Sequence, residues 1–147
     1  MRVYIDTSVI GRYFEDEFQE WTIKLFHEFE NGTKISVVSD LTLEEIENAP
    51  SYVQDLYSSM KTEKILLDIE CAELAKRYIK EKAITIKYFN DALHIAGATV
   101  HRLDVLVSWN FKHIVNLNRI RLYNAVNLKN GYPVIEIRTP REILTEK

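Results

Sequence analysis

Short apolar runs alternate along this chain with longer segments of helical periodicity, and this alternation limits its fold more than any other feature. Strands that are separated by helices pair in parallel, and a parallel sheet needs helices on both faces to cover it. The pattern therefore predicts an α/β fold with a central parallel sheet. The predicted strands cover residues 2–6, 34–39, 65–67, 105–108 and 134–137.

Helices are predicted in the intervals between these strands. Apolar spacing and turn signals set their limits, as at Asn31-Gly32, where an amphipathic stretch ends. The first predicted helix begins near Ser8, the second is the amphipathic stretch, and the third begins at a Thr42 cap. Four further helices are predicted over 51–60, 69–82, 89–101 and about 111–127. A short tail helix follows, with Thr139 as its cap and Pro140 as its first residue. The length of 147 residues fits a single domain over 1–147.

Acidic residues follow two of the predicted strands and open one of the helices. Asp6 ends the first strand, Glu44 and Glu45 follow the second, and Asp91 lies near the start of the helix over 89–101. Open α/β folds place their ligands at the carboxyl ends of parallel strands. Because Mg²⁺ and Mn²⁺ favour oxygen ligands, acids from three distant segments suggest a pocket for a divalent cation.

Each of these acids also has an ordinary structural explanation. Asp91 near a helix start is favoured by the helix macrodipole alone. We expect Glu44 and Glu47 to belong to a solvated helix face. Asp6 is the hardest to explain in this way, because a carboxylate that ends a core strand needs a partner.

Four short segments that contain these acids resemble, in order and spacing, the sequence blocks of the PIN domain family. That family has the nuclease fold of the VapC ribonuclease toxins and of related solitary proteins. The segments are Asp6-Thr7-Ser8, Ser39-Asp40-Leu41-Thr42-Leu43-Glu44-Glu45-Ile46, Asn90-Asp91-Ala92-Leu93-His94-Ile95-Ala96 and Leu106-Val107-Ser108-Trp109-Asn110. The alignment selects Glu45 over Glu44, and the resemblance covers nearly the whole chain.

The resemblance implies a three-layer α/β/α sandwich with a five-stranded parallel sheet in the order 3-2-1-4-5. It also implies cleavage of single-stranded or loop RNA that depends on Mg²⁺ or Mn²⁺. Asp6 and Asp91 would be the primary metal ligands, and Glu45 would bind through water or orient the attacking water. Asn110 would be a weak ligand or a partner of a ligand, because an amide oxygen can coordinate a cation but adds no charge.

The resulting interpretation is a metal-dependent endoribonuclease that hydrolyses RNA phosphodiester bonds. Such a protein could be the toxin of a type II toxin–antitoxin pair, with an antitoxin protein as its partner. Two alternatives stay open: a solitary nuclease without an antitoxin, and a catalytically weak PIN scaffold that binds RNA or a protein. Because PIN proteins often dimerise, we expect a homodimer. The aromatic residues of the first helices offer a surface for it: Tyr13, Phe14, Trp21 and Phe26.

Cysteine content, apolar runs and charge indicate the setting in which the protein works. Cys71 is the only cysteine, which fits a reducing cytoplasm, and we expect it to be a buried apolar side chain. No secretion signal is visible, and no apolar run approaches the roughly 20 residues that span a bilayer. We expect a cytoplasmic protein that does not enter a membrane.

The net charge of −3 argues against a general nucleic-acid-coating protein, yet residues 105–135 carry basic charges only. Such a basic surface could guide a phosphate backbone to an acidic pocket.

Histidines and one tryptophan complete the set of candidate residues. The four histidines form no zinc signature. His94 lies three residues after Asp91 on one helix face, and we expect it to be a surface or internally satisfied histidine. Trp109 is expected to pack under the site rather than stack on a base. Lys112 and His113, just past the fourth segment, are candidates for a phosphate contact.

Overall fold

A five-stranded sheet lies between two layers of helices in the structure, a computed structural model that describes residues 1–145. Neighbouring strands are parallel, and their spatial order is β3-β2-β1-β4-β5. The strands are β1 (Arg2–Ile5), β2 (Ile35–Ser39), β3 (Glu63–Ile65), β4 (Val105–Val107) and β5 (Ile137–Arg138). Glu146 and Lys147, the last two residues of the predicted domain, lie outside the described residues.

Seven α-helices connect and cover these strands within residues 1–145. They are α1 (Thr7–Gly11), α2 (Asp16–Glu30), α3 (Asp40–Glu47), α4 (Ser51–Ser59), α5 (Ile69–Lys80), α6 (Phe89–Val100) and α7 (Leu117–Lys129). Single turns of 3-10 helix occur at Ile86–Tyr88 and Arg141–Ile143. In the part of the chain that the structure describes, we find no helix with the length and apolar character needed to cross a membrane.

Alternate residues of the central strands face opposite helical layers, because successive side chains of a strand point to opposite faces of the sheet. Val3 and Ile5 of β1 pack in the core formed with α1, α2, α3 and α4. Tyr4 and Leu106 pack in the other core, formed with α5, α6 and α7. All four side chains are fully buried. Burial on both faces explains why these strands are continuous apolar runs in the sequence.

The predicted sandwich and its strand order are confirmed, but the third strand lies earlier than predicted. It covers Glu63–Ile65 rather than 65–67. The backbone N–H of Leu67 donates to Asp40 Oδ1 at 2.9 Å. Leu67 therefore bonds to the first residue of α3 instead of extending the ladder with β2.

The fifth strand lies later than predicted, over Ile137–Arg138 rather than 134–137. The side chain of Asn124 on α7 accepts a hydrogen bond from the backbone N–H of Ile135 at 2.8 Å. Its amide also donates to the Ile135 carbonyl at 3.1 Å. Because one helical side chain takes both backbone groups of Ile135, regular pairing starts only after that residue.

Helix α7 begins at Leu117, not near residue 111 as predicted. The carbonyl of Asn110 accepts the backbone N–H groups of Ile114 and Val115, which closes a turn instead of a helix. The side chain of Asn116 then caps α7. Apolar spacing cannot distinguish a compact turn of this kind from the first turn of a helix.

The caps of α1 and α3 also differ from the predicted ones. Asp6 has extended backbone angles and is the N-cap of α1, so Ser8 lies inside the helix. Ser39 rather than Thr42 is the N-cap of α3. Thr42 still takes part, because its Oγ1 accepts the backbone N–H of Ser39 at 3.1 Å and completes a capping box.

Candidate functional site

Asp6 lies at the carboxyl end of β1, in the middle of the sheet. Its backbone N–H donates to the carbonyl of Val107 on β4 at 3.3 Å, so strand pairing determines its place. The residue is only 3% exposed. Ser8 Oγ donates to Oδ1 at 2.6 Å, and Ser108 Oγ donates to Oδ2 at 2.8 Å. The two hydroxyls orient this carboxylate, but neither carries a charge that would neutralise it.

Burial raises the pKa of Asp6 above its ordinary value, and the charge of Glu45 adds to the rise. The charge of nearby His94 and the serine hydroxyls lower the pKa, but the net direction is upward. The ionised form of Asp6 is therefore incompletely compensated by its surroundings. A bound cation would be the largest local charge at such a site and would reverse the direction of this shift.

Glu45 enters the site from α3, which starts where β2 ends. Its Oε1 accepts a hydrogen bond from Thr7 Oγ1 at 2.6 Å and lies 2.7 Å from His94 Nε2. Burial raises the pKa of Glu45, but these two contacts outweigh burial and the net direction is downward. Glu44 and Glu47 are exposed, as predicted for a solvated face. The structure thus turns Glu45, and not its acidic neighbours, toward the end of β1.

Asp91 lies in the first turn of α6, and Asn110 follows the end of β4. Asn110 Nδ2 donates to Asp91 Oδ2 at 3.3 Å, while Asn110 Oδ1 accepts the backbone N–H of His113 at 3.0 Å. Burial, together with the charges of Asp6 and Glu45, raises the pKa of Asp91 to about 6. The ionised form of Asp91 is therefore destabilised in this environment. The favourable position at a helix start does not offset this destabilisation.

These three carboxylates, Asp6, Glu45 and Asp91, form what we call the acidic cluster. Their charges act on one another, yet within residues 1–145 no three His, Cys, Asp or Glu side chains are arranged to enclose one ion. Each carboxylate instead turns to its own hydrogen-bond partner. The atoms available as metal ligands are oxygens, which suit Mg²⁺ or Mn²⁺. Mg²⁺ usually takes one or two carboxylates and keeps several waters, so this donor set fits such an ion.

His94 also belongs to this site, and it is internally satisfied, one of the two roles that the sequence predicted for it. It is 1% exposed, and both of its ring nitrogens have partners. Nε2 lies 2.7 Å from Glu45 Oε1, and Nδ1 lies 2.6 Å from the Tyr4 hydroxyl. The three-residue spacing from Asp91 on α6 is the sequence signal that places both side chains on one helix face.

Aromatic residues near the end of β4 differ in their exposure. Trp109 is buried and its Nε1 donates to Thr22 Oγ1 at 3.0 Å, in agreement with the predicted packing role. The His113 ring is buried against Tyr88, with ring centroids 3.7 Å apart. The sequence had suggested a phosphate contact for His113, and this burial disagrees with it. Phe111 is 49% exposed. Sequence reasoning missed Phe111, although it directly follows the fourth PIN-like segment.

Comparison with known proteins identifies the fold through structure alone. No protein-family model matches the chain, and no curated protein matches its sequence. Among solved structures, it matches the crystal structure of VapBC2 from Rickettsia felis bound to a DNA fragment from their promoter. The TM-score is 0.63 at 14% sequence identity, and the alignment covers 95% of this chain and 98% of that chain. The chain has a VapC-like PIN fold.

The PIN resemblance of the four sequence segments is therefore confirmed at the level of the fold. In this VapC-like arrangement, Asp6 and Glu45 follow the two adjacent strands β1 and β2. Asn110 follows β4, on the other side of β1. The acidic cluster consequently lies at the carboxyl edge of the sheet, the edge at which open α/β folds bind their ligands.

Proposed function

We propose that the protein is a PIN nuclease that hydrolyses RNA phosphodiester bonds with the help of a divalent cation. One observation supports this most strongly: at the carboxyl edge of a VapC-like sheet, burial and neighbouring carboxylates raise the pKa of Asp91 to about 6. Strongly perturbed acids gathered in one place are typical of functional sites. A fold gains no stability from such a cluster, so its presence favours a role in binding or catalysis.

Mg²⁺ or Mn²⁺ would be held by Asp6 and Asp91, with Glu45 bound through water or directed at the attacking water. Bound there, the cation would supply a hydroxide nucleophile and stabilise the charge that develops on the phosphate. Two serine hydroxyls hold the Asp6 carboxylate in its orientation. The Asn110 amide donates to Asp91, so Asn110 would act on the metal through that carboxylate.

RNA would approach across the aromatic and basic surface near the end of β4. The half-exposed ring of Phe111 is backed by Phe18 and Trp109, with ring centroids 6.2 and 6.1 Å away. The guanidinium of Arg12 lies over the Phe18 ring at 5.3 Å, and Lys112 is exposed beside Phe111. An unpaired base stacked on Phe111, with phosphates attracted to the two basic side chains, would lie beside the acidic cluster.

A groove between α2 and α4 offers a surface for a protein partner. It holds a cavity of about 300 Å³. Aromatic and aliphatic side chains line one part of it (Tyr13, Phe26, Phe29, Leu56 and Met60), and polar or charged side chains line the rest (Glu30, Ser36, Ser59 and Lys61). We assign this groove to an apolar segment of an antitoxin, since the matched fold occurs in a VapBC2 assembly.

A homodimer would use only part of the aromatic surface predicted from the sequence, because Phe26 of that surface is buried. Phe14 and Tyr52 are both exposed and stack edge to face, with ring centroids 5.2 Å apart. A second copy of the chain that covered this pair would remove apolar surface from water, which favours association.

Cys71 supports the assignment of the protein to the cytoplasm. It is the only cysteine of the chain and is buried in α5. Burial raises the pKa of its thiol to about 12, so the reactive thiolate is scarce at neutral pH. A chain without a disulfide or a reactive thiol fits a reducing compartment.

Turnover of a panel of RNAs in the presence of Mn²⁺ tests the proposed activity. Asp6→Asn and Asp91→Asn should each reduce turnover by orders of magnitude, because each removes a charged oxygen ligand. Glu44→Gln is the matched control, since it neutralises an exposed acid next to Glu45 and should leave turnover unchanged.

Wild-type rates of cleavage by either aspartate variant, with metal supplied, would overturn this site. A wild-type protein that binds RNA but does not cleave it, with or without a chelator, would favour the scaffold alternative. A neighbouring small gene for a DNA-binding protein would favour the toxin, and its absence would favour a solitary nuclease.

A further inference from the structure

The ring of His94 connects the centre of the sheet with the acidic cluster. Its Nδ1 lies 2.6 Å from the hydroxyl of Tyr4, which is itself 2.8 Å from Ser39 Oγ. Its Nε2 lies 2.7 Å from Glu45 Oε1. Since an ionised carboxylate only accepts hydrogen bonds, Nε2 is the donor to Glu45. A continuous chain of hydrogen bonds therefore runs from two core strands to one carboxylate of the site.

Tyr4 is a rigid anchor for this chain of hydrogen bonds. It is fully buried in β1, where it pairs with Val37 on one side and with Leu106 on the other. The rings of Tyr4 and His94 also pack together, with centroids 5.6 Å apart and planes inclined by 55°. A hydrogen bond and ring packing from the same tyrosine leave the imidazole little freedom to turn.

Glu45 needs such an anchor more than the other two acids do. A glutamate side chain has three rotatable bonds and loses considerable rotamer freedom when it is held in place. Thr7 and His94 both contact Oε1, which leaves Oε2 for other contacts. Without the His94 donor, the hydrogen bond from Thr7 would be the one remaining contact to Oε1 of these two. The carboxylate could then turn about that hydrogen bond.

We propose that His94 is a positioning residue that holds the Glu45 carboxylate at the acidic cluster, and that Tyr4 sets the orientation of the His94 ring. The assignment rests on the proposed function, because it concerns the same site. His94 acts through Glu45 and touches neither the metal nor the substrate. Its contribution is geometric: a carboxylate fixed before the reaction loses no orientation entropy during it.

Two substitutions of the same residue separate positioning from a merely structural role. In His94→Gln, the side-chain amide nitrogen lies near the place of Nε2 and can still donate to Glu45. In His94→Asn, the shorter amide lies near the place of Nδ1, keeps a partner for Tyr4 and cannot reach Glu45. Both variants remove the imidazole and lose one of its two buried hydrogen bonds, so each is a matched control for the other.

We expect His94→Asn to lower kcat for RNA cleavage roughly 10- to 100-fold relative to His94→Gln, the usual effect of losing an outer partner of a metal ligand. KM should stay within about twofold between the two variants, because the substrate does not touch His94. Calorimetry should show weaker Mn²⁺ binding by His94→Asn than by His94→Gln, while their melting temperatures remain similar. Equal kcat and equal Mn²⁺ affinity in the two variants would overturn the inference.

Tyr4→Phe tests the same hydrogen-bond chain if a His94 variant fails to fold, because it removes only a hydroxyl and keeps the ring. It should lower kcat roughly 2- to 10-fold at constant KM, as expected for one buried hydrogen bond. An unchanged kcat would overturn the role of Tyr4 and His94. A wild-type protein that binds no Mn²⁺ and cleaves no RNA would instead overturn the proposed function, and this inference with it.

Discussion

Asp91→Asn should stabilise the metal-free protein at alkaline pH. The pKa of Asp91 rises from its ordinary value of 3.8 to about 6 on folding, mainly through burial and the charge of Asp6. A rise of that size corresponds to roughly 3 kcal/mol of lost stability at a pH well above 6. Asparagine removes this cost, but it also removes a favourable charge from the first turn of α6, worth roughly 0.3–1 kcal/mol. The expected net gain is about 2 kcal/mol, or roughly 5 °C in melting temperature.

The pH dependence of this gain follows from the direction of the shift. Above pH 6, the carboxyl is ionised in both the folded and the unfolded chain, and the full cost is present. As the pH falls from about 6 toward 3.8, the folded state takes up its proton first, so the cost fades. At pH values below 3.8, both states are protonated and the cost is gone. The gain from Asp91→Asn should thus be large at pH 8 and fall to roughly 0.5 kcal/mol at pH 4.

Urea unfolding in the presence of a chelator at these two pH values measures the effect. Glu44→Gln is the control, because an exposed glutamate next to the site should change the free energy of unfolding by no more than about 0.5 kcal/mol. Adding Mn²⁺ should stabilise the wild type, since a ligand that binds only the folded state stabilises it, and should stabilise Asp91→Asn less. A lower stability of metal-free Asp91→Asn at pH 8, with no response of the wild type to Mn²⁺, would refute the reasoning and favour the helix-start role of Asp91.

Three further predictions concern other residues. Asn110→Asp should tighten Mn²⁺ binding in calorimetry, because it adds a charge beside Asp91. An unchanged Mn²⁺ affinity would show that residue 110 does not act on the metal. Phe111→Ala should weaken binding of a short single-stranded RNA to chelator-treated protein by roughly 1–3 kcal/mol, whereas Phe111→Trp should preserve it; equal affinities would exclude base stacking. Lys34→Met should lower the free energy of unfolding by roughly 3 kcal/mol because it leaves buried Glu28 without its ion-pair partner, and an unchanged urea midpoint would contradict this.

Features that depend on local periodicity could be predicted from the sequence. The central strands β1, β2 and β4 are buried on both faces and read as apolar runs, so their positions were close to those predicted. The acids stood out because Asp6 and Glu45 follow two of these strands and Asp91 lies near a helix start. The edge strands β3 and β5 are only three and two residues long, and side chains of Asp40 and Asn124 decide where they start or end. Contacts of this kind come from distant segments and leave no periodic signal.

The environment of each site residue was harder to predict than its presence. His94 follows Asp91 by one helical turn, but its partners Tyr4 and Glu45 lie 90 and 49 positions away in the chain. Only the packing of α6 on the sheet shows that its imidazole links them. The exposure of Phe111 likewise depends on the turn that delays α7, which apolar spacing had assigned to a helix.

A structure of crystals soaked in Mn²⁺, with the metal located by its anomalous scattering, tests the central claim most directly. The claim is that the acidic cluster holds a divalent cation at the carboxyl edge of this PIN sheet. The predicted result is an anomalous peak at bonding distance from carboxylate oxygens of Asp6 and Asp91, with Glu45 bound to it directly or through water. No peak in the cluster, or a peak bonded to neither aspartate, would contradict the account.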